Sequence, residues 1–379
     1  MTTRELPHTR PARLTVVIKA LNEEGRIALA IESALRAVQH IGGEVVLADS
    51  CSTDRTVEIA AAYPIRIVQL AHPDERCCGA GPQLGYQHAL GEYVYLMDGD
   101  MELLPGFLDR ALAFLAQHPE VAGVGGRVVE RNLESLEYRE RAARERLEPH
   151  RVPGPVDRLD GGGLYRRCAI QEAGHLSDRN LHSYEEFELA VRLRARGWKL
   201  WRLPIDAVAH VGHETPPYKL LMRRWKSGYI CGSGELLRSA LGQPWLRLVW
   251  RNQREIRLYL GVLAWWAVLL TVPLWPMEWP LRAGALTALA LAPVVLMSLR
   301  KRSLARGIYA VVSWCFNAAG LVRGLLHARK PTTEPIASRV LREPGGPGLS
   351  GRGAPGGASP GGAFRNAPLP PSPPSAHRS

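Results

Sequence analysis

"YVYLMDGDMELLPGF", residues 93–107, decides how the rest of the chain is read. An apolar, strand-forming run stops at Asp-Gly-Asp. Two carboxylates at the exit of a buried strand are costly unless something positive joins them. Asp98 and Asp100 are separated by one glycine, so their side chains can converge on a single divalent cation. Hard oxygen ligands favour Mg2+ or Mn2+, and a cation held by so few carboxylates completes its shell with water and substrate phosphates. Asp-Gly is also a turn dipeptide, so the motif alone leaves a plain polar turn open.

Upstream, the apolar runs "RLTVVIKAL" (13–21), "GEVVLADS" (43–50) and "IRIVQL" (65–70) alternate with helically spaced stretches, "RIALAIESALRAVQHI" (26–41) and "DRTVEIAAAY" (54–63). This alternation predicts an α/β layer with a largely parallel sheet, whose ligands sit at the carboxyl ends of the strands. Asp49 ends the second such strand, placed to accept from a base N–H or a ribose hydroxyl. Ser52 or Asp54, beyond it, can cap the following helix. Downstream, the three glycines of "LDGGGLYRR" (159–167) let backbone approach a ligand closely. Glu185, Glu186 and Glu188 open an amphipathic helix, where the helix dipole by itself favours acids. His210 and His213 follow the next strand-like run, and His213 is expected as a further metal ligand. Arg223, Arg224 and Lys226 surround Trp225, a set suited to phosphate pairing and base stacking.

The net charge of +12 suits nucleic acid, anionic lipid or a phosphorylated substrate. The basic residues cluster around apolar segments and the tail, so nucleic acid is not an expected partner. No G-x-x-x-x-G-K-[ST] is present, which excludes a P-loop NTPase, and "GAGPQLG" (79–85) has the wrong spacing for a dinucleotide fingerprint. The six cysteines show neither C-x-x-C pairs nor zinc-like spacing, which predicts free thiols in a reducing compartment. "MTTRELPHTRPARL" lacks the apolar core of a signal peptide, so export by that route is not expected.

Residues 258–275 and 283–299 are long uncharged apolar runs, near the length of membrane spans. Arg247, Arg251, Arg254 and Arg257 precede the first, Arg300, Lys301 and Arg302 follow the second, and the link holds only Glu278 and Arg282 as charges. The positive-inside rule then predicts a hairpin in the inner membrane with both ends, and the soluble domain, in the cytoplasm. A third stretch, 307–326, can span or lie in the interface. The expected organisation is a disordered 1–12, a soluble domain over 13–240, membrane-associated helices over 241–330, and a disordered Pro/Gly-rich tail over 331–379.

In order along the chain, "VVIKALNEEGRI" (16–27), "VVLADSCSTDRT" (45–56), "GAGPQLGYQHALGEYVYLMDGD" (79–100), "GGGLYRR" (161–167) and "EEFELAVRLRARGW" (185–198) form a specific set. Over roughly residues 14 to 230 the chain resembles the family-2 inverting glycosyltransferases with the GT-A fold. The resemblance implies a Rossmann-like mixed sheet followed by a C-terminal transmembrane hairpin. It also implies a metal-dependent, hexosyltransferase-like enzyme with Mg2+ or Mn2+ as cofactor. Such an enzyme moves a sugar, with inversion, from a nucleotide-diphospho-sugar (a UDP-sugar favoured) to a hydroxyl. The acceptor would be a lipid-linked or membrane-proximal glycan at an anionic bilayer, in cell-envelope glycan, polysaccharide or glycolipid synthesis.

Residue by residue, Glu23 and Asp49 fall where the family contacts the nucleoside. Asp98 falls on the ribose or metal side, Asp100 on the metal, and Glu186 on the general base. Arg224 and Trp225 match the end of the Gln-x-x-Arg-Trp element of processive members, but Leu221 replaces its glutamine. Lys19, Leu21 and Leu84 depart from the family pattern, and Glu186 stands for the usual aspartate. A nucleotidyltransferase on a similar sheet would share the paired aspartates and Mg2+ but has no use for Glu186. A non-catalytic, GT-A-like membrane binding subunit would explain the departures but not the intact acids.

Overall fold

The computed structural model describes residues 13–131, 149–211 and 215–344. β1 (Leu14–Ala20), a run rich in β-branched residues, is buried along nearly its whole length. β2 (Gly43–Asp49) and β4 (Tyr93–Asp98) flank it in parallel, and β3 (Arg66–Leu70) lies parallel beyond β2. Helices α1 (Ile27–Gln39), α2 (Thr56–Ala60) and α3 (Ala80–His88) lie in the connections. The buried Ile27, Ala30, Ile31, Ala34 and Val38 of α1 follow the three-and-four spacing of a one-sided helix. A strand buried on both faces reads as a continuous apolar run, which is why this half was legible.

Beyond β4 the sheet becomes mixed. The chain continues through β5 (Met101–Leu103), α4 (Phe107–Gln117), β6 (Val121–Glu130), β7 (Gly154–Val156) and β8 (Gly163–Arg166). Then come α5 (Arg167–Ala173), α6 (Glu185–Ala195) and β9 (Lys199–His210). β8 inserts antiparallel between β4 and β6, β6 and β9 run parallel, and β5 and β7 each pair antiparallel with β9.

After β9, α7 (Pro217–Lys226), α8 (Gly232–Ala240) and α9 (Leu246–Asn252) lead into α10 (Arg254–Thr271), α11 (Trp279–Lys301) and α12 (Leu304–Leu326). Segments 254–274, 279–301 and 304–326 are each long and apolar enough to cross a membrane, with mean hydropathies of 1.6, 1.7 and 1.3. The chain then returns to the sheet: β10 (Ser338–Arg342) pairs antiparallel with β3 at its far edge. This corrects the expectation of disorder from residue 331. Ile336 is buried with Val46, Ala48, Val68 and Leu70, an apolar anchor hidden by the surrounding Pro, Gly and Arg. Residues 1–12 and 345–379 of the expected tails lie outside the described residues.

One of the acids opening α6 belongs to the core. Glu188 receives the Arg192 Nε at 2.6 Å and Nη2 at 2.8 Å, and both side chains are only 2% exposed. Arg192 also donates to the carbonyls of Ala173, His175 and Leu176, holding the end of α5 and the turn after it. Breaking such a pair leaves a buried charge uncompensated. Glu188→Ala is therefore expected to destabilise the domain by about 3–5 kcal/mol, read as a fall in the denaturation midpoint.

Candidate active site

The parallel registers bring the strand ends together. Lys19 lies opposite Asp98 across β1 and β4, and Ala20 lies opposite Asp49 across β1 and β2. From that position the Lys19 ammonium reaches Asp98 Oδ1 at 3.0 Å and Glu185 Oε1, at the start of α6, at 3.2 Å. Burial alone would pull this lysine down. Asp98, Glu185 and Glu186 outweigh it and hold the ammonium well above its ordinary value. Lys19 was visible in the sequence as a departure, but its bridging role was not anticipated.

A second register builds the other side of the acidic turn. His210 pairs with Met101 in β5 and with Glu130 in β6. Its ring nitrogens lie 3.3 Å from Asp100 Oδ2 and 2.6 Å from Glu130 Oε2. Burial lowers the imidazole, yet the bonds to Asp100 and Glu130 raise it to about 9. His210 is a histidine at Asp100; His213, expected as a metal ligand, lies outside the described residues.

The chain approaches closely at Gly99: a Cβ there would sit 3.1 Å from Glu23 Cγ and 3.2 Å from Ala20 Cβ. Glu23 consequently lies across the Asp-Gly-Asp turn. Burial, then the charges of Asp100 and Asp98, outweigh Arg26 and push its carboxyl up to about 7. Asp100 Oδ1 is buried with no hydrogen-bond partner among the described residues. A carboxylate oxygen without a donor, beside two more acids, fits a divalent cation, and Asp98 and Asp100 are the residues that would hold it. Asp49 shares this feature. Its Oδ2 accepts from Ser52 N at 3.0 Å and Gln69 Nε2 at 2.8 Å, while Oδ1 is buried without a partner.

A cavity of about 620 Å³ opens beside these groups, lined by Lys19, Asp98, Asp160, Glu185, Glu186 and His210 among others. Tyr184, in the left-handed region at φ 68°, turns the chain so that Glu185 and Glu186 open α6 at the cavity wall. Asp160 is tied to Arg202 at 2.6 Å and Arg151 at 2.7 Å. Against burial, the hydrogen bond with His150 and then the charges of Arg151 and Arg202 hold it well below the usual carboxylate range. Glu186 differs from the other acids of the cavity: it makes no hydrogen bond or ion pair with a described residue. Burial pushes its carboxyl up to about 8, and Glu185, Asp160 and Asp98 add to this against the pull of Lys19.

Arg224 and Trp225 do not join this cavity. Arg224 lies 5.1 Å over the Tyr229 ring and lines a separate cavity of about 210 Å³ with Leu221, Tyr309 and Asn317. Trp225 packs edge-on against Phe316 of α12, with ring centroids 5.5 Å apart, and its carbonyl accepts from Arg323. In this chain Trp225 packs against an apolar helix, and the buried Leu221 replaces the element's polar glutamine.

Residues 15–172 match the sequence model of Glycosyl transferase family 2. Over those residues the chain is similar to the family-2 glycosyltransferases. EpsE of Bacillus subtilis (strain 168) is 28% identical over 220 residues, covering 55% of this chain and 75% of EpsE. The undecaprenyl-phosphate 4-deoxy-4-formamido-L-arabinose transferase of Pectobacterium carotovorum subsp. carotovorum (strain PC1) is 32% identical over 117 residues, 29% of this chain and 36% of that enzyme. The solved structure of the mannosyltransferase PcManGT from Pyrobaculum calidifontis, in complex with GDP-Man and Mn2+, superposes with a TM-score of 0.56 at 18% identity. The match covers 85% of this chain and 91% of that one, and shows that the mixed sheet is the GT-A type.

Proposed function

We propose that the chain is a membrane-anchored, inverting glycosyltransferase whose general base is Glu186. The observation that carries this reading is the partnerless Glu186 carboxyl in the cavity shared with Asp98. The donor is a nucleotide-diphospho-sugar. The resemblance favours a UDP-sugar, and the GDP-Man of the PcManGT complex makes a GDP-sugar the second candidate. Asp49 offers its free oxygen to the nucleoside, with Glu23 across the acidic turn.

Asp98 and Asp100 would hold Mg2+ or Mn2+, which supplies charge neutralisation for the leaving diphosphate. Lys19 pairs with Asp98 and Glu185 and fixes their positions, and His210 does the same for Asp100. Glu186 takes the proton of the acceptor hydroxyl as that oxygen attacks the anomeric carbon. The bond to the diphosphate breaks on the opposite face, and the nucleoside diphosphate leaves with the electron pair. The cavity extends to Asn252, Gln253, Arg254 and Glu255, at the start of the first apolar helix. An acceptor held at the bilayer reaches the base along that path. This supports a lipid-linked or membrane-proximal acceptor, and a place in cell-envelope glycan or glycolipid synthesis.

Glu186→Gln should lower turnover by about 10²–10⁴-fold with donor affinity nearly unchanged. Glu185→Gln should do much less, because Glu185 serves Lys19. Retained turnover in Glu186→Gln, with loss in Glu185→Gln, would move the base one residue. Asp100→Asn is expected to leave the fold intact and abolish metal-dependent release of nucleoside diphosphate from a panel of nucleotide-sugars. Full release in EDTA would contradict the metal assignment, and no release by the native chain with any donor would favour the non-catalytic binding subunit.

A further inference from the structure

We infer that α12 does not cross the bilayer but lies along its surface, on the side of the sheet domain, leaving α10 and α11 as the crossing pair. This rests on the membrane association proposed above. The first argument is one of parity. The chain leaves the domain at the buried Gln253 and rejoins it directly after α12. His327 Nδ1 lies 2.6 Å from Glu235 Oε1, Arg329 pairs with Asp178 at 2.6 Å, and Lys330 pairs with Glu75 at 2.5 Å. Arg179 donates to the carbonyls of Glu334 and Pro335. Ile336 and Gln87 exchange two hydrogen bonds, and β10 then completes the sheet edge. A segment fixed to one domain at both ends crosses an even number of times. Were all three helices to span, an apolar core of about 30 Å would separate His327 from Glu235.

α12 is held against the domain along much of its length. It runs beside α7: Tyr309 donates to the Pro217 carbonyl, Phe316 meets Trp225, and Arg323 donates to the Trp225 carbonyl. Along α7 that contact runs from Pro217 to Trp225, about 12 Å at the helical rise. α7 carries Lys219, Arg223, Arg224 and Lys226, so a spanning α12 would draw four cations toward hydrocarbon. The approach is also backbone to backbone. A Cβ on Gly320 would meet the Ile230 carbonyl oxygen at 2.6 Å, and one on Gly324 the Cys231 oxygen at 2.0 Å. An α11–α12 crossing hairpin would in addition place Arg300, Lys301 and Arg302 on the far side, against the charge rule.

The surface of α12 fits a lipid headgroup layer. The exposed Leu304, Ile308, Val322 and Leu326 fall within about 40° of one another around the helix. Ser313, Gly320 and Gly324 lie on the opposite side, toward the domain. Between the ends of the apolar stripe, Val311 and Cys315 are covered by Trp265 of α10 and Met297 of α11. Tyr218 and Met222 of α7 add further exposed apolar surface. This is the one-sided pattern of a helix lying in the interface plane.

The test uses the full chain in inside-out vesicles and a membrane-impermeant maleimide, with labelling read peptide by peptide. The exposed Cys168 of the sheet domain is the internal reference. Lys301→Cys reports the turn before α12, and Ser379→Cys the end of the chain. Both are expected to label together with Cys168, without detergent. Labelling of either only after permeabilisation, with Cys168 already labelled, would overturn the inference. Recovery of the chain in the soluble fraction would instead overturn the membrane reading on which it rests.

Discussion

The site depends on one shared cation. The Lys19 ammonium lies between Asp98 and Glu185, joining the end of β4 to the start of α6. Several acids converge here, and without a counter-charge their mutual repulsion and burial would favour protonation. One ammonium satisfies two of them and leaves Glu186 without a partner. His210 plays the matching part for Asp100 and Glu130. The cavity wall is therefore an ordered charge array: fixed carboxylates at the acidic turn, and one adaptable carboxyl opposite.

Much of this was legible in the sequence because it is local. Continuous apolar runs named β1, β2 and β4, and Asp98, Asp100 and Glu186 could be placed at element ends by pattern alone. What escaped depends on pairing between distant strands. Lys19 meets Asp98 only because β1 and β4 are parallel in that register, and His210 meets Asp100 only because β9 is antiparallel to β5. Neither fact is written in either segment. The acids of α6 show the same limit. The helix dipole favours all three acids alike, yet Glu185 faces Lys19 while Glu188 is locked to Arg192 in the core.

Residues 331–344 show where pattern reading misleads. The packing of Trp225 was also out of reach, because its ring meets Phe316 of a helix far along the chain. The tail composition averaged away a single Ile336 and a short strand, both of which need β3 and Gln87 to be explained. That return of the chain couples the apolar helices to the domain. The cavity itself reaches the start of α10 at Asn252, Gln253, Arg254 and Glu255.

The most direct test of the Lys19 account is the pH dependence of turnover. Glu186 must be ionised to accept a proton, so activity rises with pH, along an acid limb at or below about 8 once a cation at the acidic turn adds its charge. Lys19 lowers the Glu186 carboxyl, so Lys19→Met should move that limb to higher pH, while Lys19→Arg leaves it near the native position. A limb in Lys19→Met that stays in place, or moves to lower pH, would contradict the claim that this ammonium sets the state of the base.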